Sequence, residues 1–112
     1  MKVVINTTFG GFGLSEAAIE RFFQLNNWVL EKKFSDYGVM YFKDKAIDEN
    51  YFSEFDIPRY DPFLVQVVEE LQENANSEFS SLKIVEIPDG IDFTVEEYDG
   101  REWIAETHRT WQ

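Results

Sequence analysis

The stretch "LKIVEIPDGIDFTVEEYDGREWIAETH", residues 82 to 108, decides the fold, because it holds two Asp-Gly pairs, Asp89-Gly90 and Asp99-Gly100, each set between strand-forming residues. Asp-Gly suits a two-residue hairpin turn in which both central residues take positive φ. Two such hairpins in series predict a three-stranded antiparallel meander. With each pair at a two-residue turn, Ile84, Val95 and Ile104 line up across the strands on one face, and Lys83, Glu96 and Trp103 on the other. Both rows are chemically sensible, which supports the register. The same register sets Glu97 opposite Glu102, a like-charge pair, and puts Glu86 and Glu106 beside Phe93. Reversing Glu97 and Glu102 to lysine is therefore expected to relieve repulsion and leave stability unchanged or higher. Val85, Ile87, Trp103 and Ala105 form a second apolar set on the reverse side. The pattern leaves open which face meets the rest of the chain; a sheet covered on one face and used for binding on the other accommodates both sets.

Upstream, "VVINTTFGGFGLSEAAIERFF", residues 3 to 23, reads as a short buried strand over Lys2 to Asn6, a glycine-rich turn and an amphipathic helix. Ser15 is the expected N-cap, Glu16 and Glu20 complement the positive helix end, and Ile19, Phe22 and Phe23 form one stripe. Asp61-Pro62 opens a second helix, a capping aspartate followed by proline at the first helical position. Leu64, Val68, Leu71 and Ala75 share its apolar face, with Phe63 and Val67 on the less buried side. Between the helices, "WVLEKKF" and "VMYFK" read as short strands around the turn Ser35-Asp36-Tyr37-Gly38. The remainder of residues 27 to 60 has no clean period and fits an inserted irregular or hairpin segment. The expected architecture over residues 1 to 112 is one α+β domain: strand and helix, second helix, then the meander.

The 112 residues carry a net charge of −12, and residues 61 to 112 hold 13 Asp and Glu against 3 Lys and Arg. A field of that sign repels nucleic-acid backbones and anionic membranes, so neither is an expected direct partner. A basic protein surface is the better match. With no cysteine there is no disulfide, thiolate ligand or cysteine nucleophile. The initial apolar run is too short for a secretory or membrane-spanning segment, so a soluble cytoplasmic protein is expected.

Two groups of residues are candidate sites. Gly10, Gly11, Gly13 and Ser15 lie at a strand-to-helix turn, where backbone N–H groups bind phosphate in other proteins. The stretch lacks the lysine and the spacing of the established phosphate-binding motifs, so close packing of strand and helix is the expected use, with Phe9 and Phe12 as core or lid residues. Glu86, Glu97, Glu102 and Glu106 form the acidic row. With no accompanying metal-binding or catalytic spacing, they are expected to act through their summed field on a partner protein rather than as acid, base or ligands. No cofactor or metal is expected. Arg59 is expected to make a local ion pair at the head of the second helix. In the tail, Trp111 is expected as an anchor and Arg109 as a carboxylate partner, with His108 too isolated for catalysis.

The stretches "VVINTTFGGFGLS", "FDIPRYDPFLVQVVEEL", "LKIVEIPDG" and "VEEYDGREWIAETHRTW" together resemble a family of small uncharacterised proteins of phages, prophages and bacteria. Residues 27 to 54 match that family poorly, and a threonine stands at its cysteine-like position after the first strand. The resemblance implies a genetic setting, a phage or prophage accessory protein, and no mechanism. Together with the charge, it sets the expected function as protein–protein interaction, an inhibitor or nucleic-acid mimic of a host factor, and not an enzyme. The alternative is a nucleotide- or anion-binding protein using the glycine loop.

Overall fold

A computed structural model describes residues 1 to 106. In chain order the elements are β1 (Lys2–Asn6), α1 (Glu16–Leu25), β2 (Leu30–Ser35), β3 (Gly38–Lys43), β4 (Tyr51–Phe52), α2 (Pro62–Leu71), β5 (Leu82–Glu86), β6 (Phe93–Tyr98) and β7 (Arg101–Glu106). Short 3₁₀ turns lie at Asp48–Asn50, Glu54–Asp56 and Gln72–Ala75. This is an α+β fold. No helix among the described residues is long and apolar enough to cross a membrane.

The continuous apolar run Val3-Val4-Ile5 is explained by burial on both faces, which removes any need for alternation. β1 pairs antiparallel with β5, Val3 opposite Val85 and Val4 opposite Ile84. On one side of this ribbon Val4, Leu82 and Ile84 pack against Ile19, Phe22, Phe23, Leu64, Val67 and Val68 of the two helices. On the other, Val3, Val85, Ile5 and Ile87 pack against Phe93, Val95 and Ile104. The β6–β7 hairpin is thus a third layer. The face question is answered: the Phe93, Val95 and Ile104 side points inward, and Glu96, Tyr98, Arg101 and Trp103 point outward.

The meander is corrected. β6 and β7 pair in the expected register, Val95 opposite Ile104, Glu96 opposite Trp103 and Glu97 opposite Glu102, around an Asp99-Gly100 turn with both φ positive. β5, however, belongs to β1, so Ile84 faces Val4 and Lys83 faces Ile5. The Ile87 N–H donates to the Met1 carbonyl at 2.8 Å, carrying the chain one more residue along β1. Residues 87 to 92 then cross between layers, with Gly90 at positive φ but no hairpin closed by it.

Both helix starts form as their sequences dictate. The Ser15 hydroxyl accepts from the Ala18 N–H, and Asp61 accepts from the Phe63 and Leu64 N–H groups ahead of Pro62. On α2, Val67 is fully buried, contrary to its placement on the outer side, whereas Phe63 is partly exposed. β2 and β3 form the expected hairpin around residues 35 to 38, and β4 adds a short third strand. This sheet is fixed to α1 by Lys32, which pairs with Glu16 and Glu20, and by Trp28, whose ring packs edge-on to Phe22 and Phe23.

Candidate functional site: an aromatic cleft between two glycine turns

Asn6 is completely buried at the end of β1, and a buried amide must spend its hydrogen-bonding groups inside the protein. Its Nδ2 donates to the carbonyls of Thr8 and Gly100, both at 2.7 Å, and its Oδ1 accepts from the Ser81 N–H at 2.9 Å. One side chain therefore ties the glycine loop, the start of β5 and the β6–β7 turn together. The approach is close enough that a Cβ on Gly100 would lie 2.5 Å from the Gly11 nitrogen and 2.6 Å from the Phe9 carbonyl oxygen. The two glycine motifs, 90 residues apart in reading order, are one structural unit.

That unit is clamped by an ion pair. Arg59 reaches Glu102 through both guanidinium nitrogens, Nη1 to Oε1 at 2.5 Å and Nη2 to Oε2 at 2.8 Å, and Glu102 also accepts the Asn6 N–H at 2.7 Å. The Glu102 side chain is 8% exposed and that of Arg59 19%. The guanidinium stacks over Phe12, 3.7 Å from the ring centre, while its own carbonyl accepts the Val4 N–H. Arg59 thus pairs across 43 residues and not locally with the head of α2. Both residues stood out in sequence, but their pairing with each other did not: the proximity of residues 59 and 102 is a product of the layering.

The glycine loop is used for packing. A Cβ at Gly10 would meet the Phe79 carbonyl oxygen at 2.1 Å, and one at Gly13 the Ser77 hydroxyl at 2.7 Å. At the helix entrance the protein supplies its own anion, because the Leu14 N–H donates to the Glu54 carboxylate. Burial pushes the Glu54 carboxyl up, opposed by that hydrogen bond. Ser15 is also occupied internally: its N–H donates to the Ala75 carbonyl and its hydroxyl donates to the Asn74 carbonyl at 2.6 Å. Phe12 is core; Phe9 is outside.

The four glutamates are not one row. Glu86 lies in the β1–β5 ribbon opposite Lys2, away from the hairpin. Glu97 turns its carboxylate to the Gly100 N–H at 2.9 Å, Glu106 is exposed beside Phe93, and Glu102 is the buried clamp. Glu86, Glu96, Glu97 and Glu106 have no ion-pair partner among the described residues. Nor, among the described residues, does any group of three or more acidic or histidine side chains converge as a metal site would. His108, Arg109 and Trp111 lie outside the described residues.

Where hairpin and glycine loop meet, Phe9, Tyr98, Arg101, Glu102 and Trp103 line an open cleft of about 420 Å³. Its aromatic walls are exposed, Phe9 by 59%, Tyr98 by 72% and Trp103 by 46%. In sequence Trp103 falls both in a row with Glu96 and in an apolar set; the pairing with Glu96 is the one that forms, and it marks the outward face on which the cleft opens. Comparison with protein-family models, with curated proteins and with solved structures returns no match.

Proposed function

We propose that the protein works by binding another protein through this cleft, as an inhibitor or nucleic-acid mimic of a host factor with a basic surface, in the manner of a phage or prophage accessory protein. The observation that carries the reading is the juxtaposition of three exposed rings with Glu96, which stands opposite Trp103 on the outward face and has no ion-pair partner among the described residues, while Glu97 and Glu106, likewise without one, lie along the same hairpin. Trp and Tyr are among the residues that dominate protein-interface energetics, and Tyr98 and Trp103 sit on a hairpin held by the Arg59–Glu102–Asn6 clamp, with Phe9 beside them on the glycine loop. The surrounding acids supply long-range attraction for a basic partner and so act chiefly on the association rate.

The test compares tagged wild type with a Tyr98→Ala/Trp103→Ala double variant in capture from bacterial lysate, followed by stopped-flow association with the captured protein at several salt concentrations. A basic partner held by wild type and lost by the variant, with an association rate that falls as salt rises, is the expected result. Equal capture by both proteins, or a rate indifferent to salt, overturns the reading.

A further inference from the structure

β1 and β5 form a ribbon of two strands, and the two edges of that ribbon are treated differently. Along the β1 edge the outward N–H groups are taken: Val4 donates to the Arg59 carbonyl and Asn6 to Glu102. Their outward direction fixes the ladder. In an antiparallel pair, residues opposite one another either exchange both hydrogen bonds or direct both sets of groups away from each other. Val4 opposite Ile84 and Asn6 opposite Leu82 are of the second kind, and by alternation so is Lys2 opposite Glu86. Leu82, Ile84 and Glu86 therefore present their N–H and C=O groups to the far edge of β5. The Leu82 N–H is satisfied by the Asn76 side chain at 2.8 Å. For Ile84 and Glu86 no partner on that edge exists among the described residues.

A groove of about 580 Å³ runs beside this edge, floored by Val68, Leu82 and Ile84 and walled by Glu69, Gln72 and Glu73 of the α2 end. Leu82 and Ile84 are only partly covered, so both the backbone and an apolar floor are accessible. Exposed edges template further strands unless charge or cover prevents it. Here the charge selects. Glu73 and Glu86 have no described ion-pair partner, and Glu69 is shared with Lys2 at the surface. A second copy would bring the same acidic wall and a net charge of −12 against itself.

We propose that the open edge of β5 and the acidic groove beside it take an extended, basic segment of a partner protein as an added strand. In an antiparallel added strand Ile84 and Glu86 exchange backbone hydrogen bonds with the residues facing them; the aliphatic stems of Lys or Arg at those positions lie over Leu82 and Ile84 with their charges at Glu73 and Glu86, and the alternate apolar side chains fall on the opposite face, beside Val85. This surface involves none of Phe9, Tyr98 or Trp103, so it stands or falls independently of the cleft.

The experiment titrates the ¹⁵N-labelled protein with an acetylated and amidated (Lys-Val)₃ peptide, with the matching (Glu-Val)₃ peptide, and with (Lys-Val)₃ N-methylated at the backbone nitrogen of every lysine. Binding of (Lys-Val)₃ is expected to shift the Ile84 and Glu86 amides and slow their hydrogen exchange about tenfold at saturation. The acidic and the N-methylated peptides are expected to bind at least about tenfold more weakly, and Glu73→Lys to weaken (Lys-Val)₃ in the same direction. The Tyr98→Ala/Trp103→Ala variant is expected to bind it as wild type does. Unmoved Ile84 and Glu86 amides, equal binding of either control peptide, loss of binding in the cleft variant, or self-association through β5 without peptide would each overturn the proposal.

Discussion

Glu97 and Glu102 occupy facing positions on β6 and β7, yet their carboxylates have opposite surroundings. Glu97 is exposed and caps a turn; Glu102 is buried against Arg59 and the Asn6 N–H. Removing one member of a buried pair leaves the other charge unpaired, so Glu102→Ala should cost about 3–5 kcal/mol. Glu102→Lys, expected from the register alone to be harmless, should unfold the hairpin from β1 altogether. Glu97→Lys should move stability little. Urea unfolding of the three variants checks this; equal stabilities for Glu97→Lys and Glu102→Lys would refute the clamp. Glu54 carries a pH signature. Because burial raises its carboxyl pKa in the folded state, the folded protein holds that proton to higher pH than the unfolded chain does. Its contribution is therefore most favourable below the ordinary carboxylate value and is lost as pH rises through the raised one. Glu54→Gln keeps an oxygen for the Leu14 N–H and removes the charge. The unfolding free energy of wild type relative to the variant should fall between about pH 4 and pH 7, and a difference independent of pH would show that Glu54 is not responsible.

Among elements, the β6–β7 hairpin was fully legible, because its turn, register and pairing are all local, and so were both helix starts, whose caps lie within three residues of the groups they satisfy. β5 was not. The Asp89-Gly90 motif speaks only for local geometry, whereas the double-sided run Val3-Val4-Ile5 needs a β-branched neighbour to complete its burial, and Ile84-Val85 supplies it. The six residues 87 to 92, Pro88 among them, then change layer instead of reversing direction. The turns should respond accordingly. Gly90 and Gly100 both have positive φ, near +80° and +90°, but a Cβ meets nothing within 4 Å at Gly90 and backbone at under 3 Å at Gly100. Gly90→Ala should cost only the left-handed strain of about 1–2 kcal/mol. Gly100→Ala should cost clearly more and open the aromatic cleft. Thermal unfolding of the two variants decides, since equal losses would mean that the two glycine turns do not press on each other.

For the whole molecule, the long dimension is 52 Å against 28 Å in the other two, and acids outnumber bases throughout the second half of the chain. Self-repulsion on that scale is screened by salt, whereas the buried Arg59–Glu102 pair is not. The unfolding temperature should therefore rise as monovalent salt increases from about 0.01 M to about 1 M, over which the Debye length falls from about 30 Å to about 3 Å. A falling temperature would mean that exposed ion pairs such as Lys2–Glu69 outweigh the net charge. The central place of β1 also governs the order of events during biosynthesis. The β2–β3 and β6–β7 hairpins join neighbouring residues and can close within about 1–10 μs of being made. Asn6, by contrast, cannot meet Leu82 until all the chain between them has left the ribosome, roughly 4 to 15 s at ordinary rates of translation. Through that interval Val3, Val4 and Ile5 have no strand to pair with, and the hairpin layer that covers Val3 and Ile5 is not yet made, although both helices that cover Val4 are. The segment most completely covered in the finished protein thus keeps its pairing edge and one face bare until the last strands are made, and that is where a chaperone would find the nascent chain.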